Sequence, residues 1–194
     1  MTKIQPLRIF AIVGSCGAGK TSVLNQLPAG ILVHKEGYIE KDNETIFIDN
    51  QLYHSKLRYM SSWFLSMYEY SNKGYPLVVS DRCPIDNAAY VEKPALLFEL
   101  IEQMMLELTK LKDRKILIET IYIRVDFKVC RSRVKQRLLE EPMRVKYHED
   151  NARFLKKTWQ FYEDFSNKWD HVVDNNNNIG LAVESVKKII YGAP

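Results

Sequence analysis

Short apolar runs alternate along this chain with longer stretches in which apolar residues recur every three or four positions. The runs "RIFAIV" (8–13), "GILVHKEG" (30–37), "YPLVVSD" (75–81), "KILIETIYIRV" (115–125) and "WDHVVD" (169–174) predict strands. Helical spacing covers 21–27, 50–72, 94–111, 127–140, 144–168 and 181–191, with Pro28, Gly30 and Gly74 as stops. The Met and Leu stripe of 94–111 reads as core, and "NNNNIG" (175–180) as a short polar loop. Strands alternating with helices predict right-handed βαβ units: an α/β fold of three layers, a parallel sheet with helices on both faces. Ligands of such sheets bind beyond the carboxyl ends of the strands. Lys20 with Thr21, Glu36, and Asp81 with Arg82 all fall at that edge.

Composition narrows the class. A chain of 194 residues, 46% hydrophobic and 27% charged, is expected to form a single domain over residues 1–194 with a core that needs no disulfides. Cys16, Cys83 and Cys130 are odd in number and scattered, which fits neither a disulfide framework nor zinc-ligand spacing and implies a reducing compartment. No run approaches the roughly 20 apolar residues of a membrane span, and the apolar start is too short for a signal peptide. A soluble, cytoplasmic protein is expected. The net charge of +4 suits anionic small molecules as well as nucleic acid. Its distribution is more telling, because residues 131–157 hold nine Lys or Arg against four Asp or Glu.

The chemistry begins with "GSCGAGKT". Gly14, Ser15, Cys16, Gly17, Ala18, Gly19, Lys20 and Thr21 satisfy G-x-x-x-x-G-K-[ST] between a predicted strand and a predicted helix, with Ser22 next. Glycines at this spacing expose backbone N–H groups that cradle phosphates. Lys20 would reach the β- and γ-phosphates of ATP, and the Thr21 hydroxyl would hold Mg²⁺. Cys16, set among amide dipoles beside a lysine, is expected to be sensitive to oxidation. At the tip of the third strand Asp81 would hold Mg²⁺ through water, and Arg82 could grip an anionic group bidentately.

The segment Asp81, Arg82, Cys83, Asp86, Ala89, Tyr90 resembles the D-R-Y…Ser…Ala-Tyr element of thymidylate kinases, with Cys83 in place of the aromatic and Asp86 in place of the serine. It is also similar to the E-R-S element of the related deoxynucleoside kinases. The resemblance implies the P-loop kinase fold with a helical basic lid at about 131–146. It further implies Arg58 and Tyr90 near an acceptor, and lid arginines among Arg131, Arg133, Arg137 and Arg144, of which Arg133 and Arg137 would contact ATP. Closing guanidinium groups over a transferring phosphoryl group neutralises its charge and excludes water. Glu36, in "HKEGY", stands where deoxynucleoside kinases place a catalytic glutamate. The loop 174–178 stands where the family faces adenine. Tyr53, Trp63, Phe64, Tyr68 and Tyr70 include candidates for stacking on a base, although most of that set reads as core.

The resulting expectation is a kinase that moves a phosphoryl group from Mg-ATP to a nucleoside monophosphate or a deoxynucleoside. Asp81-Arg82 and Ala89-Tyr90 tilt the acceptor toward the thymidylate type. A homodimer through the 94–111 helix is possible, whereas membranes are excluded and nucleic acid is disfavoured as partner. The alternatives are an ATPase or nucleotide-dependent module contacting nucleic acid or protein through its basic segment, and a kinase of another small metabolite.

Overall fold

The structure is a computed structural model and describes residues 5–35, 51–111 and 115–192. Its strands are β1 (Leu7–Val13), β2 (Leu32–His34), β3 (Leu77–Asp81), β4 (Ile116–Arg124) and β5 (His171–Asp174). They form one parallel sheet in the order β2-β3-β1-β4-β5, flanked by helices. The described helices are α1 (Lys20–Leu24), α2 (Gln51–Asn72), α3 (Pro94–Thr109), α4 (Phe127–Glu140), α5 (Ala152–Asp164) and α6 (Ile179–Tyr191). The predicted α/β architecture is therefore present. Every residue of β1 except Arg8 is buried, as expected of a strand covered on both faces.

The chain divides into two compact units: Met1–Ala11 with Ile31–Ile118, and Ile12–Gly30 with Glu119–Pro194. In the first, β2 and β3 pair in parallel with Val33 opposite Val79. Its interior is built on Trp63, Met67, Phe98 and Ile101, all nearly inaccessible to solvent. In the second, β4 and β5 pair in parallel with Ile123 opposite Val173. Tyr122 stacks on Tyr162 at 5.6 Å between ring centroids, with Trp169 against both. Burial, and a hydrogen bond of 2.6 Å from its hydroxyl to Glu163, hold the Tyr122 phenol well above its ordinary pKa.

The helix expected over 144–168 is corrected by the structure. Pro142–Tyr147 is a 3-10 segment, His148 takes a left-handed conformation at φ 59°, and the α-helix begins only at Ala152. Asn151 caps it, its side-chain oxygen accepting from the N–H groups of Arg153 and Phe154 at 3.0 and 3.1 Å. A shorter 3-10 segment at Ser166–Lys168 closes the stretch. The turn at His148 brings Glu149 into the interior, where it is 5% exposed.

Candidate active site

The phosphate loop is a backbone construction in the second unit. β1 ends at Val13, the loop turns through 14–19, and α1 starts at Lys20. Gly17 and Gly19 adopt φ of 73° and 94°, which a side chain rarely tolerates. A Cβ at Gly17 would lie 2.8 Å from the Cys130 carbonyl oxygen, and one at Gly19 would collide with the Asn175 side-chain amide. That amide donates to the Ala18 carbonyl at 2.8 Å, tying the chain after β5 to the loop. Lys20 is 7% exposed, and its Nζ donates to the carbonyls of Gly14 and Ser15 at 2.8 and 3.0 Å. A buried ammonium needs such partners, because burying it unpaired is prohibitive. Thr21 and Ser22 are exposed in the first turn of α1.

The loop is supported by α4. The Cys130 thiol donates to the Cys16 carbonyl at 2.9 Å. Burial pushes this thiol up to about 11 against the lowering effect of the Ser15 hydrogen bond, so it stays a protonated donor at neutral pH. Arg133 Nη2 donates to the carbonyls of Asn175 and Asn176 at 2.8 and 3.4 Å, and its Nη1 to that of Gly17 at 3.4 Å. Arg137 Nη2 donates to Glu149 Oε2 at 2.6 Å. Arg144 donates to the same carboxylate from Nε at 3.1 Å and Nη2 at 2.9 Å, and to Glu141 from Nη1 at 3.1 Å. Arg131 is exposed on α4. Of the four lid arginines named from sequence, Arg133 is the one that hydrogen-bonds the loop among the described residues. The Cys16 thiol points at Glu149 Oε1 from 3.8 Å. Burial alone would raise the Glu149 carboxyl, but the Arg144 hydrogen bonds and the two guanidinium charges outweigh it and hold it below the ordinary range. The loop 174–178 borders a cavity of about 560 Å³ whose walls include Asp126, Trp159 and Asn176.

In the first unit the second group stands at the end of β3. Arg82 has φ 71°, a left-handed backbone rare for a residue with a side chain, costing about 1–3 kcal/mol. Ser80 holds it there: the Ser80 hydroxyl donates to the Arg82 carbonyl at 2.6 Å, and Trp63 Nε1 donates to that hydroxyl at 2.9 Å. Arg82 Nη1 pairs with Asp86 Oδ1 at 3.1 Å, and Asp86 Oδ2 accepts the Cys83 N–H at 3.0 Å. The ion pair is almost dry, since the two side chains are 11% and 3% exposed. Lys56, 5% exposed, donates to the Tyr90 carbonyl at 3.0 Å. Arg58 is exposed on α2, and Glu36 lies outside the described residues. Asp81 ends β3 and is half-buried.

Several expectations shift. Trp63 is not a stacking surface but a core residue whose indole N–H fixes the Asp81-Arg82 turn. Phe64 packs edge-on against it, and Tyr70 sits edge-on to both His34 and Tyr75. Tyr68 stays exposed. Glu149, Asn175, Ser80 and Lys56 were not singled out in the sequence. No motif marks them, and only their burial against the site discloses them.

The chain has the α/β fold of deoxynucleoside kinase-like P-loop kinases. Among solved structures it is similar to deoxyadenosine kinase from M. mycoides with bound dATP, at TM-score 0.64 and 16% identity over 95% of this chain and 100% of the other. The same enzyme with products dCMP and a flexible dCDP gives 0.60 at 16% identity, and with bound dCTP 0.53 at 19%, with the same coverage. No family model and no curated protein matches the chain.

Proposed function

We propose that this chain is a kinase, working as one domain over its 194 residues, that transfers the γ-phosphoryl of Mg-ATP to a hydroxyl of a deoxynucleoside. The carrying observation is the phosphate loop with the Lys20 ammonium folded inside it, on a fold shared with deoxyadenosine kinases. The loop amides and Lys20 bind the triphosphate, and Arg133 and Arg137 stabilise charge on the phosphoryl group as it moves. The loop 174–178 faces adenine. Thr21 and Asp81 are hard oxygen donors of the kind magnesium takes, and the metal neutralises phosphate charge when bound. Glu36 takes the proton of the attacking hydroxyl, and Arg82, Arg58 and Tyr90 bind the acceptor.

The Arg82–Asp86 pair favours the nucleoside over the monophosphate. A dianionic acceptor phosphate beside Arg82 would also meet the buried Asp86 carboxylate, whereas a neutral hydroxyl acceptor would not. The lid chemistry also argues against a nucleic-acid surface, since Arg133, Arg137 and Arg144 each give donors to groups of the chain itself. The exposed Leu96, Leu100 and Met104 share one face of α3 and form the surface through which two copies would pair.

A coupled assay with Mg-ATP over all deoxynucleosides, ribonucleosides and their monophosphates tests this reading. We expect turnover on one or a few deoxynucleosides and a fall of 10²-fold or more in kcat for Glu36→Gln, within the range for general-base loss. Turnover confined to monophosphates would move the assignment to the nucleotide acceptor, and a flat response over the panel would refute nucleoside and nucleotide kinase activity.

A further inference from the structure

Glu149 is the most buried acidic group around the lid, and no role in phosphoryl transfer requires a carboxylate there. It nevertheless joins three pieces of the second unit: Arg137 of α4, Arg144 of the 3-10 segment, and the thiol of Cys16 in the phosphate loop. The two arginines are not used alike. Arg144 turns three nitrogens to carboxylates, Nε and Nη2 to Glu149 and Nη1 to Glu141. Arg137 gives Glu149 one nitrogen, and its Nε is buried with no hydrogen-bond partner among the described residues. A buried donor left unsatisfied costs about 1–3 kcal/mol. It persists here because the carboxylate fixes the guanidinium through the neighbouring Nη2 and leaves Nη1 on the other edge.

We propose that Glu149 is a positioning residue of the lid: it pins one edge of the Arg137 guanidinium so that the other edge is aimed at the phosphoryl group held by the loop. Arg144 is the latch of this assembly. Its donors screen Glu149 and keep the carboxylate from repelling an incoming phosphate. The left-handed turn at His148 is what delivers the carboxylate, since a continuous helix over 144–168 would place residue 149 differently. Fixing a guanidinium before the ligand arrives lowers the conformational entropy lost on closure, and such preorganisation acts on the transition state more than on ground-state binding. The inference rests on the kinase reading above.

The test compares wild type, Glu149→Gln, Arg137→Lys and the double variant, with kcat and KM for ATP on the preferred acceptor and the Kd of ATP by calorimetry. Glu149→Gln keeps the size and removes the charge. We expect its kcat to fall 10- to 100-fold while the Kd of ATP changes less than threefold. In the Arg137→Lys background, where no planar fork remains to be aimed, the same change should cost less than threefold. A merely structural glutamate would give the same fold-loss in both backgrounds, and that additivity overturns the proposal, as does a Glu149→Gln kcat within twofold of wild type. If Glu149→Gln does not fold, Glu149→Asp enters the same cycle with the same criteria. Wild-type protein inactive over the whole acceptor panel defeats the kinase reading and this inference together. An active wild type with an indifferent Glu149 defeats this inference alone.

Discussion

The phosphate loop and the turn after β3 present opposite solutions to holding charged groups in place. Around Gly14–Lys20 the work is done by backbone: glycines with positive φ, and carbonyls that accept from Lys20 and from the Asn175 amide. Around Asp81-Arg82 it is done by side chains, with Ser80 and Trp63 holding a strained backbone and Asp86 holding the guanidinium. A backbone device must be written contiguously and therefore shows as a motif. A side-chain device gathers polar groups at irregular spacing, and of this one the sequence shows only the charged Asp81, Arg82 and Asp86.

Removing Lys20 should break the first device most severely. Lys20→Ala is expected to lower kcat by about 10²–10³-fold, the scale of losing one preorganised donor to a transition-state oxygen, with circular dichroism unchanged; a loss under tenfold would show that the loop amides suffice. The second device is next. Ser80→Ala leaves the Trp63 N–H buried without its acceptor and the Arg82 turn without its tether, at a stability cost of about 1–3 kcal/mol. In a chain of this length that is a fall of about 2–4 °C in Tm per kcal/mol. The KM for the acceptor should rise while the KM for ATP holds. Equal effects on both would mean the two devices do not serve separate ligands.

Asp86→Ser should have a smaller and more selective effect. It installs the residue of the thymidylate kinase element, frees the Arg82 guanidinium, and should raise activity on monophosphates relative to nucleosides by about tenfold, the scale of a 1.4 kcal/mol change. An unchanged ratio would remove the charge argument for a nucleoside acceptor. The mildest expectation concerns acid. The Glu149 carboxyl is lowered in the folded protein, so its contribution is complete above the unfolded value of about 4.3 and is lost as pH falls through the lower folded value. Melting curves of wild type and Glu149→Gln should therefore differ by a few degrees at pH 6 and converge toward pH 3. Parallel curves over that range would mean the carboxylate is not held by the arginines.

The same contrast explains what could be read beforehand. The strands were legible because their apolar runs are short and bounded, and the loop because its spacing is demanding. The helix 144–168 was not, since large apolar residues continue at helical spacing through Tyr147 and Phe154 and hide the left-handed turn at His148. Asn151 was a usable signal, being a favoured helix cap followed by a helical run. Glu149 had none, for its value lies in which guanidiniums the turn brings to it. Asn175 was visible only as one residue of the loop 174–178, and nothing in that tract tells the buried member from its exposed neighbours Asn177 and Asn178.

The folded-in Lys20 has a further consequence for selectivity. At rest its ammonium is solvated by two peptide oxygens, so an anion gains only the difference between its own attraction and theirs. A lone orthophosphate offers little surplus over such partners. On the kinase reading, a polyphosphate that also engaged the surrounding amides would outbid them, and the resting loop would discriminate by chain length before any base is recognised.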